Sequence, residues 1–276
     1  MRLWASSLFL TTFLLTVSCQ ETEIIEKKPD STSLAPPVSG YFQKNVLIED
    51  YTGTWCGNCT RVAWAIEETK NASNNVVSVA IHNGNDPYHF AGIDPLKNLI
   101  LPSSALALPV SRLNRMTVWS FPETSNIQEA IDLTSNNTTL GLAMSSTVAD
   151  GQINLEVRAR FLEDYSNLKL VVYLLEDHLL YNQRNYITEL YGGLAVIPNF
   201  EHNHVLRASL TNILGESLEG ANRNTTVTRN FNIPVPSNIA NADNISFVAF
   251  VTDLNDKALN ARAAEANENQ SFQENP

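Results

Sequence analysis

Apolar and polar positions fall into two textures along this chain. The first runs from a β-type apolar stretch, "KNVLIEDY" (Lys44–Tyr51), through a helix-type stretch, "CTRVAWAIEETKN" (Cys59–Asn71), to the β-branched run "NVVSVAIH" (Asn75–His82). Val46, Ile48 and Asp50 share one face by the two-residue period of a strand. The middle stretch predicts a helix from about Gly57 to Lys70, and the last suits a central strand. The order is a βαβ unit. A short helix over Pro95–Leu101, two strands over Val110–Asn114 and Arg115–Ser120, and a helix in "ETSNIQEAIDLTSN" complete this half, with Thr124 or Ser125 as its N-cap.

From about Asn137 the texture becomes alternating. "TLGLAMSSTVADGQINLEVRARFL" is two runs around Asp150-Gly151, a hairpin signal. "NLKLVVYLLED", "HNHVLRASL", "NTTVTRNFNIPV", "NISFVAFVTD" and "KALNARAAE" predict further strands, with no amphipathic helix among them. An immunoglobulin-like all-β sandwich over 137–265 follows from this pattern. A polar tail, 266–276, is expected to be loose.

The first forty residues stand apart. "MRLWASSLFLTTFLLTVSC" carries Arg2, an apolar run from Leu3 to Val17, then Ser18 and Cys19. It reads as a signal peptide, 1–18, too short for a good membrane span. "LLTVSC" resembles a bacterial lipobox, which implies lipidation at Cys19. Gln20 after it, where retained lipoproteins carry Asp, implies the outer membrane. Residues 19–40, with Pro29, Pro36 and Pro37, read as a tether.

Composition changes the picture in two places. Among 276 residues, 43% are hydrophobic, enough for a real core, and the formal net charge is -11. An acidic chain without a basic cluster argues against a nucleic-acid partner. The chain holds three cysteines. With Cys19 acylated, Cys56 and Cys59 have only each other, in an exported and therefore oxidising setting.

That pair, in "TWCGNC", has three readings. Structural zinc needs four ligands, and no second cysteine pair exists. His202 and His204 sit at strand spacing but in the other half, and His82 and His89 near the cysteines leave a copper relay open. A disulfide this short closes too small a loop to be a good staple. The redox reading places Cys56 before a helix N-terminus, where free N–H groups favour thiolate, and Cys59 one turn on as the resolving thiol.

"VLIEDYTGTWCGNC" is similar to the thioredoxin active-site segment. The resemblance implies an α/β thioredoxin-like fold over 41–136. It assigns Trp55 before the first cysteine, Asp50 as a buried acid that moves the proton at Cys59, and Pro109 as a cis-proline that positions substrate backbone. Asn58 departs from the Pro usual there. With "VVSVAIHNG", "PVSRLNR", "HNHVLRASL" and "FVAFVTDLNDKALNA" added, the chain resembles the thioredoxin-like outer-membrane lipoproteins related to the twenty-eight-kilodalton outer-membrane protein.

Two functions are expected from this. One is a lipid-anchored thiol–disulfide oxidoreductase acting on protein thiols or disulfides, with Cys56, Cys59, Asp50, Pro109 and Trp55 as its site, no cofactor, no metal and an unknown electron partner. The other is a surface lipoprotein that keeps the scaffold without turnover and binds a protein or ligand. The long segment Tyr181–Asn203 is expected as its recognition loop.

Overall fold

The computed structural model describes residues 40–102 and 106–275. Cys19, the signal peptide and the tether ahead of Gly40 lie outside the described residues. In chain order the elements are β1 (Phe42–Gln43), β2 (Val46–Thr52), α1 (Thr60–Ala72), β3 (Val76–His82), α2 (Asp94–Ile100), β4 (Val110–Leu113), β5 (Thr117–Val118), α3 (Ile127–Asp132) and β6 (Asn137–Thr138). They continue with β7 (Leu140–Ala149), β8 (Gln152–Phe161), β9 (Lys169–Glu176), β10 (Leu179–Arg184), β11 (Val196–His202) and β12 (Val205–Ser209). The last four are β13 (Glu216–Ser217), β14 (Thr226–Pro234), β15 (Ile245–Thr252) and β16 (Ala258–Glu265).

The expected fold class, a thioredoxin-like α/β unit followed by an immunoglobulin-like sandwich, is overturned. Strand takes 42% of the described residues and helix 15%, and the strands do not divide as that fold class requires. One nine-stranded sheet runs β16-β15-β9-β12-β3-β2-β4-β5, with β13 also on β9. It therefore mixes strands from both sides of residue 137. The join is β12, which pairs parallel to β3 at Val205–Ala80 and antiparallel to β9. A second, three-stranded sheet has the order β14-β8-β7.

The physical reason lies in β9 and β15. Both are apolar on both faces, so both faces need cover. Leu170, Val172, Leu174, Phe247 and Ala249 pack against Leu142, Met144, Leu155 and Val157 of the three-stranded sheet. On the other side, Val171, Tyr173, Val248 and Phe250 share a core with Leu47, Tyr51, Val77, Val79 and Ile81 of β2 and β3, and with Leu96 and Ile100 of α2. A third core sets Val46 and Ile48 against Val62, Ala65 and Ile66 of α1, with Trp119 and Ala130. Each such side chain contributes ~1.5–3 kcal/mol when fully buried. The middle core thus draws on both halves of the chain.

Local signals are met where the chemistry is local. The β7–β8 hairpin pairs Ala149 with Gln152 across Asp150 and Gly151, at φ 51° and 72°, the left-handed pair that a two-residue turn requires. Two details differ from expectation. The helix α3 is shorter, and Asn126, its preceding residue, makes no side-chain cap. Residues 266–275 do not hang free: Gln43 N–H donates to the Gln273 carbonyl at 2.8 Å, and Gln270 is buried with its amide on the Ala263 carbonyl at 2.7 Å. Among the described residues, no helix is long and apolar enough to cross a membrane.

Candidate functional site

Cys56 and Cys59 form a disulfide, with Cα atoms 5.4 Å apart. The turn is closed by Cys56 N–H on the Gly53 carbonyl and Cys59 N–H on the Cys56 carbonyl. The helix begins at Thr60, after both cysteines, with Cys59 at the N-cap. Cys56 is therefore not the residue that leads into α1, as the sequence pattern suggested; the Gly57-Asn58 turn intervenes.

The pair is covered by a segment 120 and more residues away. Residues 179–202 fold into the β10–β11 hairpin rather than a loop over the sandwich, with Leu179 opposite His202. Its far end lies on the cysteine turn. Tyr186 N–H donates to the Gly57 carbonyl at 2.7 Å, and Arg184 N–H to the Thr54 carbonyl at 2.8 Å. The Gln183 amide donates to the carbonyls of Cys56 at 3.0 Å and Gly53 at 3.3 Å. Tyr191 hydroxyl reaches the Thr60 carbonyl, and Thr60 hydroxyl reaches Asn185. A Cβ at position 57 would stand 2.5 Å from the Tyr186 ring, so this approach demands glycine. Cys56 ends 5% exposed and Cys59 2% exposed.

These contacts carry a prediction. Replacing Gln183 and Tyr186 together with alanine removes the Gln183 amide bonds to the Gly53 and Cys56 carbonyls, each worth ~1 kcal/mol, and the Tyr186 ring packed on Gly57. Reduction by a soluble phosphine, followed by alkylation and mass shift, is expected to run at least about tenfold faster in that variant. An unchanged rate would show that the hairpin does not protect the pair.

Behind the disulfide lies a cavity of about 320 Å³. Its walls are α1, β2, β3 and the hairpin, through Cys59, Trp64, Asp50, Ser78, Tyr191 and His202 among others. Asp50 is 3% exposed, and its Oδ1 has no partner. Burial, then the nearby Glu123, push its carboxyl well above the usual carboxylate range, against the pull of Arg61 and Thr52. Arg61 of α1 sets its Nε 2.6 Å from Glu123 Oε2.

A polar cluster borders the same cavity. His82 Nδ1 lies 3.0 Å from Asp86 Oδ1 with both side chains buried. Burial works to raise Asp86, but His82 and the N–H groups of Thr54 and Tyr88 outweigh it and hold the pKa at about 2. His202, edge-on to His82 at 5.3 Å between ring centroids, is lowered to about 4 by burial first and by His82 second. Asn203 and His204 join β11 to β12, and His204 takes φ 56°, so His202 and His204 do not share a strand face. Among the described residues, no three His, Cys, Asp or Glu side chains gather as metal ligands.

The structure thus brings Asp50 and Cys59 into one cavity. Trp55 is 46% exposed and donates to the Asn83 carbonyl at 2.8 Å. The Leu108–Pro109 peptide is cis, ahead of the Val110–Tyr51 pairing, and Pro109 is not among the cavity residues. Sequence reading missed Asp86, Gln183 and Tyr186. Only the length of the 181–203 segment hinted at Gln183 and Tyr186, and nothing in the pattern marked Asp86.

A family model described as outer membrane protein Omp28 matches residues 104–270, more than half of the chain. No curated protein matches it. Among solved structures, HBP35 of Porphyromonas gingivalis superposes with TM-score 0.64 at 18% identity, covering 83% of this chain and 77% of that one. The likeness is one of fold. A domain of the outer membrane lipoprotein Omp28 from the same organism gives TM-score 0.32 at 21% identity, over 48% of this chain and 91% of that one.

Proposed function

This chain belongs to the Omp28 family of outer membrane proteins, and from that premise we propose that it is a lipid-anchored outer-membrane protein that binds a ligand or partner and does not turn over its disulfide. The anchor is the diacylglyceryl group expected on Cys19. The binding elements are the β10–β11 hairpin and the cavity it roofs.

One observation carries this reading: the disulfide is buried beneath the hairpin. Thiol–disulfide exchange needs a thiolate to approach one sulfur of the pair from outside. Here Gln183, Arg184 and Tyr186 occupy the backbone positions around that approach. The covered disulfide instead fixes the turn that starts α1, and α1 is a wall of the cavity. The oxidoreductase reading, with Cys56 attacking and Cys59 resolving, would have to work from cysteines 5% and 2% exposed.

Thiol trapping in intact cells tests it. After acid quench and alkylation, the Cys56–Cys59 pair is expected to be oxidised throughout the population. A Cys59→Ser variant is expected to capture no protein partner through Cys56. A mixed redox population, or a captured partner, would return the protein to the exchange enzymes.

A further inference from the structure

If the protein binds without turnover, the cavity behind Cys59 is where a small ligand goes, and we propose that this ligand is an organic ammonium, a protonated amine on an apolar or aromatic body. The inference rests on the binding reading above and specifies its ligand chemistry.

Three residues that line the cavity each hold a buried polar atom without a partner: Asp50 Oδ1, Ser78 Oγ and His202 Nε2. Their residues are 3%, 5% and 6% exposed. A buried polar atom left without a partner costs ~1–3 kcal/mol, so three in one cavity mark a place built to be filled. All three are able to accept. The other nitrogen of neutral His202 is engaged by the Tyr181 backbone carbonyl, which leaves Nε2 its lone pair. A protonated primary amine brings three N–H donors and no acceptor, the complement of that set.

The rest of the wall points the same way. No Lys or Arg lines the cavity, while Glu67, Glu68 and Glu201 do. Its fixed charges are all negative, beside the histidines His82, His202 and His204, so a cation is favoured over an anion. Trp64 and Tyr191 meet edge to face at 5.6 Å, and Tyr191 and Phe200 at 5.8 Å. Aromatic faces beside a desolvated cation add attraction of their own and give its apolar body a surface. The volume, about 320 Å³, lies at the small end of ligand pockets, ~300–1,000 Å³.

Asp50 adds a readout. It is surrounded by Glu123 of the 123–125 turn, by Arg61 and Glu67 of α1, by His82 of β3, and by Tyr191 and His202 of the hairpin segment. In the empty site burial, then Glu123, raise its pKa. An ammonium beside it favours the carboxylate, so binding releases a proton to the buffer.

Calorimetric titration of the purified full-length protein tests this with phenethylamine, phenethyl alcohol and 3-phenylpropionate near neutral pH. The amine is expected to bind at least about tenfold tighter than either comparator, the scale of one charge-assisted hydrogen bond. Its heat is expected to vary with the ionisation enthalpy of the buffer, with proton release. Asp50→Asn keeps the shape and is expected to weaken the amine at least about tenfold while leaving the alcohol unchanged. The proposal is overturned if wild type shows no amine binding, if alcohol or carboxylate binds as well as amine, or if Asp50→Asn holds the amine unchanged. Alcohol binding in place of amine would sink the ammonium and leave the binding reading standing. A partner trapped by Cys59→Ser would sink the non-turnover reading instead.

Discussion

Replacing Arg115 with leucine is expected to lower the unfolding free energy by about 3–5 kcal/mol, the usual penalty for removing one partner of a buried ion pair. Arg115 is fully buried, as is Glu49. Its Nε and Nη2 sit 3.3 and 3.2 Å from Glu49 Oε1, and Nη2 donates to the Tyr173 hydroxyl at 2.6 Å. The guanidinium also stacks over the Phe250 ring at 4.5 Å. These partners come from β2, β9 and β15, which the sequence pattern had assigned to separate halves. Leucine would leave the Glu49 carboxylate in an apolar core with only the Tyr51 hydroxyl, 3.4 Å away. Denaturant unfolding measures the loss. A Glu49→Leu, Arg115→Leu double variant is expected to recover much of it, since an apolar pair leaves no charge stranded. A double variant no more stable than the single one would mean that shape, not charge, is what Arg115 supplies.

Asp50→Asn is expected to act in the opposite direction and to depend on pH. The folded-state pKa of Asp50 is raised, through burial first and Glu123 second. In the unfolded chain the group ionises near 4. Between those two values the unfolded state binds fewer protons, so wild-type stability is full at acid pH and falls as pH rises toward the folded-state pKa. Asparagine has no such slope. The variant should be the more stable at pH 7–8, with the gap closing below about pH 4. Urea unfolding across that range gives both curves. A variant less stable than wild type at pH 8 would show that the ionised carboxylate is held by partners after all.

What the sequence made legible is what neighbours along the chain decide. The alternation that put Val46, Ile48 and Asp50 on one face is correct: Val46 and Ile48 meet α1, and Asp50 opens onto the cavity beside it. The Asp150-Gly151 hairpin was readable because two left-handed residues in a row demand that chemistry. The other face of β2 was not readable. Glu49 looked like any strand carboxylate, because its partner lies 66 residues on, in a turn. The sheet was misdivided for a related reason. "LKLVVYLLE" is apolar at every step but the lysine and the final glutamate, a pattern that says both faces are buried without saying against what. The site was half legible. Cys56 and Cys59 pair and Asp50 shares a cavity with Cys59, but the residues that close over them, Gln183 and Tyr186, follow from a hairpin docking that no periodicity encodes.

The path by which force would enter this body follows from β1. Tyr41, Phe42 and Gln43 are stitched to residues 273–275 and to Asn137 and Thr138. The nine-stranded sheet reaches this group through Asn260 of β16, whose amide donates to the Gln43 carbonyl at 3.2 Å; the other partners lie outside that sheet. A pull on the chain ahead of Gly40 would therefore load a small seam made from both ends of the body. The disulfide turn and the cavity behind it would be shielded from that tension until the seam gave way.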